Sequence, residues 1–176
     1  CLGGTIHVIP HITNEIKGRI GLAAKETGAE IMILEVGGTV GDIESQPFLE
    51  ALRQLRNEVG RENCLFIHVT WLPVIGATGD IKTKPTQHPV AALRSIGISP
   101  NVIIARADQD VDQGLCDKIA LFCDVEKDAV IPMKTASVLY EVPLLLDQLG
   151  VGELILNKLG LQATRKPDMR PWKKLV

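Results

Sequence analysis

Short aliphatic runs, each closing on a polar or glycine-bearing loop and each followed by helical periodicity, constrain this chain more than any other feature. Residues 31–36 (Ile-Met-Ile-Leu-Glu-Val), 65–70 (Leu-Phe-Ile-His-Val-Thr) and 102–105 (Val-Ile-Ile-Ala) are such runs, with a shorter one at 129–131 and another strand or fraying end at 6–9. Unbroken apolar runs of this length suit strands buried on both faces of a parallel sheet. Between them, Phe48, Leu49, Leu52, Leu55 and Val59 share one helical face, with Ser45 placed to cap it and Gly60 to stop it. Val90, Leu93 and Arg94 lie on a helical segment running to Gly97. Leu115, Ile119 and Phe122 repeat at helical spacing after Asp112, a suitable N-cap. Residues 144–149 and 154–159 read as two short helices separated by Gly150 and closed by Gly160. The alternation predicts an α/β fold, a mostly parallel sheet flanked by helices and joined by right-handed crossovers.

Composition supports this. The 176 residues suffice for one domain, 45% are apolar but only 3% aromatic, and the apolar runs are short. The core is therefore aliphatic, disorder and a membrane span are excluded, and the scarcity of aromatics argues against a stacking platform for single-stranded nucleic acid. Residues 165–176 carry net +4 against −6 for residues 1–164, which reads as a solvated basic tail. Cys1, Cys64, Cys116 and Cys123 form no C-x-x-C pair and sit among apolar neighbours, as reduced core cysteines do. Reduced cysteines of this kind imply a cytoplasmic protein. The chain opens at Cys1 rather than Met, so further sequence upstream is expected.

In open α/β sheets, ligands gather beyond the carboxyl ends of the strands. The loop after the first run, Glu35 to Ser45, holds three glycines within five residues, which lets backbone approach a ligand closely. A carboxylate at the end of a buried strand needs a cation or a basic partner. Glu35 is thus either a Mg2+ ligand or half of a structural ion pair. In the loop Gly79 to His88, Lys82 and Lys84 are separated by one residue. In an extended segment, which Pro85 favours, both project to one side. With Thr86 starting a helix and Gln87 offering an amide, the segment suits a phosphate chain, the alternative being a charged surface loop. Arg106 and Lys134, each at a strand end, serve either a ligand or an ion pair. Lys118 reads as a snorkelling side chain, His68 as a satisfied core histidine, and His88 as a neighbour of the lysine loop. No nucleophilic triad or histidine metal set is apparent.

Gly37-Gly38-Thr39-Val40-Gly41-Asp42-Ile43-Glu44-Ser45, continued by Pro47 to Ala51, resembles the hallmark segment of the CTP synthases, as does Lys82-Thr83-Lys84-Pro85-Thr86-Gln87-His88. Val8 to Thr13 and Lys118 to Cys123 match the same family in order and spacing, so the resemblance covers roughly residues 1–160. It implies the second half of the amidoligase (synthetase) domain, with a P-loop-related, dethiobiotin-synthetase-like fold, and residues 161–176 as a tail or linker. Such enzymes make CTP from UTP, ATP and ammonia. ATP phosphorylates the UTP O4, and ammonia from a separate glutaminase domain then displaces the phosphate.

By position, Glu35 matches the magnesium-binding glutamate, and Asp42, Ile43 and Glu44 match the segment that recognises CTP as feedback inhibitor. Lys82, Thr83, Lys84, Pro85, Thr86 and Gln87 match the loop holding the UTP or CTP triphosphate, and Lys118 matches a further pyrimidine-nucleotide contact. Lys134, Thr135 and Ala136 fall on the adenine-side segment, with Arg106 grouped beside them as ATP-binding. Two departures stand out: Thr135-Ala136 where Asp-Val is frequent, and Pro89 where Ser is frequent, the latter at what reads as a tolerant helix start.

The resemblance further implies a P-loop half-domain upstream, a glutaminase domain downstream, and dimers that pair into tetramers. No nucleic-acid or membrane partner is expected. Two other classes remain: a related P-loop amidoligase acting on another acid or carbonyl, and a non-catalytic nucleotide-binding or assembly module.

Overall fold

A computed structural model describes residues 3–176, and its contacts cluster into two compact units, 1–61 and 62–176. Cys1 lies outside the described residues.

In the first unit, a kinked helical turn at Val8–Ile12, with Ile9 itself extended, overlaps the place expected for a strand or its fraying end, and no ladder forms there among the described residues. It leads into α1 (Thr13–Thr27), which packs against α2 (Gln46–Val59). Ala51 is fully buried in α2, Lys17 and Glu58 pair between the helices, and Gly60, at φ 93°, ends α2 as expected. On α2 the Arg53 guanidinium, helped by the Gln54 amide, holds the Glu50 carboxyl down to about 2 against the opposing effect of burial. Ser45 does not cap this helix. It adopts helical dihedrals itself, and its hydroxyl donates to the Asp42 carbonyl at 2.9 Å.

The expected strand at 31–36 does not form. The segment has no ladder partner among the described residues, and Ile33 is 91% exposed. Aliphatic composition favours a pleated conformation, but a strand exists only where a neighbour takes up its backbone groups.

The second unit is built on a parallel sheet of order β1-β2-β3, with β1 (Ile67–Trp71), β2 (Val102–Ala107) and β3 (Val130–Lys134). The crossover helices α3 (Lys84–Ser95) and α4 (Gln113–Cys123) bury Leu72, Val90, Ile103, Ala105, Ile119 and Cys123 against one face. Consecutive crossovers share a face when they have the same hand in a sheet that grows in one direction. Asp112 caps α4 as expected, accepting from the Leu115 N–H at 2.8 Å. The buried stripe of α4 runs through Cys116, Ile119, Ala120 and Cys123, which leaves Phe122 exposed rather than in the core. Cys116 and Cys123 are buried free thiols pushed up by desolvation, Cys123 to about 11, while Cys64 is half-buried. Helices α5 (Val142–Gln148) and α6 (Val151–Lys158), broken at Gly150, pack Val151, Leu146 and Leu154 against Val102, Ile104, Ile131 and Met133 on the opposite face. A short helix, α7 (Arg170–Leu175), lies in the basic tail, with the Trp172 indole donating to the Tyr140 carbonyl at 2.7 Å.

On the face bearing α5 and α6, β1 remains uncovered: Ile67, Val69 and Trp71 are exposed. A contiguous apolar strand face at a sheet edge is an association surface. The isolated 176-residue chain is therefore expected to self-associate in light scattering at micromolar concentration. A monodisperse, cooperatively melting monomer would contradict this.

His68, on the other face of β1, is half-buried, and its Nε2 is buried without a hydrogen-bond partner. It is not the satisfied core histidine expected from the sequence. Burial pushes its pKa below the ordinary 6.5, so the unfolded chain takes up the proton first as pH falls. The stability of the neutral form is complete above about pH 6.5 and declines below it. His68→Leu should flatten this acid-side fall in melting temperature. An unchanged slope would remove His68 as its cause.

Candidate functional site

In the first unit, chemistry gathers on the loop before α2. Thr39 donates its N–H to Asp42 Oδ2 at 2.9 Å, and the Asp42 N–H returns to the Thr39 carbonyl at 3.0 Å. Gly38 holds φ 89° where a Cβ would stand 3.2 Å from Asp42 Oδ2, so both backbone freedom and space favour glycine there. Asp42 thus spends its carboxylate on the loop itself, whereas Ile43 and Glu44 project into solvent.

Glu35 is exposed, so the desolvation argument for a buried strand-end carboxylate does not apply to it. It forms no ion pair among the described residues either, which removes the structural alternative. It faces a cleft of about 260 Å³ shared with Gly37, Glu44, Ser45 and Phe48. Among the described residues, no three His, Cys, Asp or Glu side chains converge as a metal cage. Magnesium needs none, because it keeps water and phosphate ligands around one or two carboxylates. Glu35, with Glu44 on the same cleft, fits that pattern.

In the second unit the lysine loop is shaped by a feature the sequence reading missed. After β1 the chain folds back in a short antiparallel hairpin. Val74 bridges Ile81, the Ile75 N–H meets the Asp80 carbonyl at 2.9 Å, and the Lys82 N–H meets the Pro73 carbonyl at 2.9 Å. The signal was present: Gly79-Asp80 between Val74-Ile75 and Ile81 is a turn flanked by apolar residues. The hairpin fixes Lys82, whose ammonium lies 3.2 Å from Asp80 Oδ2. The Thr78 hydroxyl and then this ammonium hold the Asp80 carboxyl below its ordinary range.

Helix α3 starts at Lys84 rather than Thr86, so the alternation argument that put both lysines on one side of an extended strand does not hold. Lys82 precedes the helix and is half-buried, while Lys84 opens it and is exposed. Pro89 accordingly lies inside the helix, where it removes one backbone donor, and not at its start. Thr83 and Thr86 are buried scaffolding. Thr83 accepts from the Gln87 amide at 3.1 Å, and Thr86 shares a hydroxyl hydrogen bond of 3.0 Å with Thr70 of β1. That bond pins the helix start to the strand end, and deleting either partner of such a buried pair costs about 1–3 kcal/mol. Pro85 and His88 are exposed. Lys118 is also exposed, midway along α4.

At the carboxyl ends of the strands, Arg106 pairs in register with Trp71, and Lys134 with Ala107. Side-chain alternation sends Arg106 to the face bearing α5 and α6 and Lys134 to the other, so these two ATP-side candidates leave the sheet on opposite faces. The Arg106 guanidinium carbon lies 5.7 Å from the centre of the Trp71 ring. Lys134 pairs with Asp110 at 3.1 Å. Thr135 donates its N–H and its hydroxyl to the Ala107 carbonyl at 2.8 and 3.2 Å, extending the ladder beyond β3, and Ala136 follows it.

A family model described as the CTP synthase N-terminus matches residues 1–161. The chain belongs to the CTP synthase family. Similar curated relatives are CTP synthases from Chloroflexus aggregans, 58% identical over 99% of this chain, Roseiflexus castenholzii, 57% over 99%, and Carboxydothermus hydrogenoformans, 55% over 99%. The chain spans only 31–32% of the length of these relatives. The match is to the N-terminal region of the family, a coarser placement than the second half of the synthetase domain expected from the motifs. No helix among the described residues is long and apolar enough to cross a membrane.

Proposed function

We propose that this chain is the second half of the synthetase region of a cytoplasmic CTP synthase, with residues 1–160 in the amidoligase domain and 161–176 leading towards a glutaminase domain. The observation that carries the reading is the lysine loop. A hairpin-fixed Lys82, its ammonium beside Asp80, is followed by Lys84 at the first turn of α3, where the positive end of the helix and two ammonium groups suit a triphosphate.

On this reading Lys82, Thr83, Lys84, Pro85, Thr86 and Gln87 form the UTP and CTP triphosphate loop, with Lys82 and Lys84 as its charged contacts. Thr83 and Thr86 hold the loop's shape, and Lys118 is a further pyrimidine-nucleotide contact. Asp42 shapes the glycine loop that presents Ile43 and Glu44 to CTP as inhibitor. Arg106, Lys134, Thr135 and Ala136 serve ATP, with Thr135 acting through its carbonyl because its N–H and hydroxyl are already engaged. Glu35 holds Mg2+, which supplies charge neutralisation among the phosphates. The protein's contribution to phosphoryl transfer is then positioning and fixed positive charge. Ammonia displaces phosphate from phosphorylated UTP to give CTP. The chain alone is not competent. It acts with an N-terminal half-domain and a glutaminase domain in a homotetramer built from dimers.

Thermal protection of the full-length protein tests the ligand class. UTP and CTP should each raise its melting temperature. Protection by ATP alone, with both pyrimidine triphosphates inert, would favour a related amidoligase acting on another acid or carbonyl.

A further inference from the structure

Trp71 was not among the residues singled out in the sequence, yet it stands at the carboxyl end of β1 in register with Arg106 of β2. Strand pairing continues beyond it, with the Leu72 N–H donating to the Arg106 carbonyl at 2.8 Å. Both backbones are therefore held by the sheet, and both side chains leave it on the same face. Trp71 and Arg106 are only partly covered, and the guanidinium carbon lies 5.7 Å from the ring centre. Arg106 makes no ion pair among the described residues. The contrast with Lys134 is direct, since its ammonium is paired with Asp110.

This difference has a chemical consequence. A carboxylate that orients an arginine occupies two of its N–H donors in a fork, whereas an aromatic face attracts the cation and takes none of them. We infer that Trp71 is a positioning residue that holds Arg106 by its ring face, leaving all five guanidinium donors for the acceptor atoms of a bound purine nucleotide. The inference rests on the reading of Arg106 as an ATP contact and adds the element that aims it.

The test is a double-mutant cycle in the full-length protein, read as the Michaelis constants for ATP and UTP. Arg106→Ala should raise the ATP constant by roughly tenfold or more, as loss of a charged hydrogen bond does. Trp71→Leu should raise it roughly two- to fivefold, the scale of an exposed cation–π contact, and should leave the UTP constant in place. Trp71→Tyr, which keeps a ring face, should recover most of the loss. In the Arg106→Ala background, Trp71→Leu should add nothing further. An ATP constant unmoved by Arg106→Ala would overturn the ATP reading itself. An Arg106→Ala effect with Trp71→Leu either silent or equally damaging in both backgrounds would overturn the positioning role alone. A Trp71→Leu effect spread equally over ATP and UTP would show a merely structural role, and also overturns it.

Discussion

Glu35→Gln in the full-length protein is expected to lower turnover by on the order of a hundredfold or more, with almost no change in melting temperature. The two halves of that expectation have separate causes. Removing one fixed charge from a phosphoryl-transfer site withdraws stabilisation that the developing charge cannot find elsewhere. Folding loses little, because Glu35 is exposed, takes part in no ion pair among the described residues, and lies in an irregular loop. Steady-state CTP formation and a thermal melt on the same preparation measure both. A large drop in melting temperature with turnover retained would make Glu35 structural and leave the magnesium assignment without its ligand.

Lys84→Ala should weaken UTP and CTP together, by roughly ten- to a hundredfold, and leave the ATP Michaelis constant nearly unchanged. The two pyrimidine nucleotides present the same triphosphate, so one ammonium at the first turn of α3 should matter equally to both. Lys84 is suited to this because it is exposed and opens the helix, with Thr83 and Thr86 buried beneath it and Thr86 tied to Thr70. Its removal therefore takes away charge without removing packing. Lys84→Arg should restore only part of the affinity, since a planar fork does not replace a compact ammonium. Steady-state kinetics with ammonia as nitrogen donor bypass any glutaminase step. Weakening of ATP with both pyrimidine nucleotides spared would assign this loop to the other nucleotide.

The sheet and its flanking helices were legible because the relevant signals are local. Runs such as 102–105 lie between turn residues, and Asp112 precedes an apolar helical stripe at the spacing a cap requires. The failures occurred where a partner decides the outcome. The run 31–36 has the composition of a strand, but no neighbouring strand pairs with it among the described residues, and Glu35 lost its strand-end environment with it. Pro85 favours an extended Lys84, but proline is equally at home in the first turn of a helix, and Thr86 is pinned to Thr70 in the helical arrangement. His68 shows the same limit. Nothing local to 65–70 reveals that Nε2 finds no partner.

The candidate site divides in the same way. Glycine spacing identified the loop at 37–45, and the paired lysines identified the start of α3, because both signals are contiguous. The hairpin at 73–82 and the Trp71–Arg106 contact join positions distant in sequence, and only the register of β1 on β2 brings that tryptophan and arginine together.

The most direct measurement is CTP formation by the full-length protein from UTP, ATP and ammonia, followed together with ATP consumption. CTP is expected to accumulate in step with ATP hydrolysed, omission of UTP to stop both, and added CTP to suppress the rate. ATP consumption that proceeds without UTP, or UTP that remains unaminated while another acid or carbonyl is consumed, would contradict it.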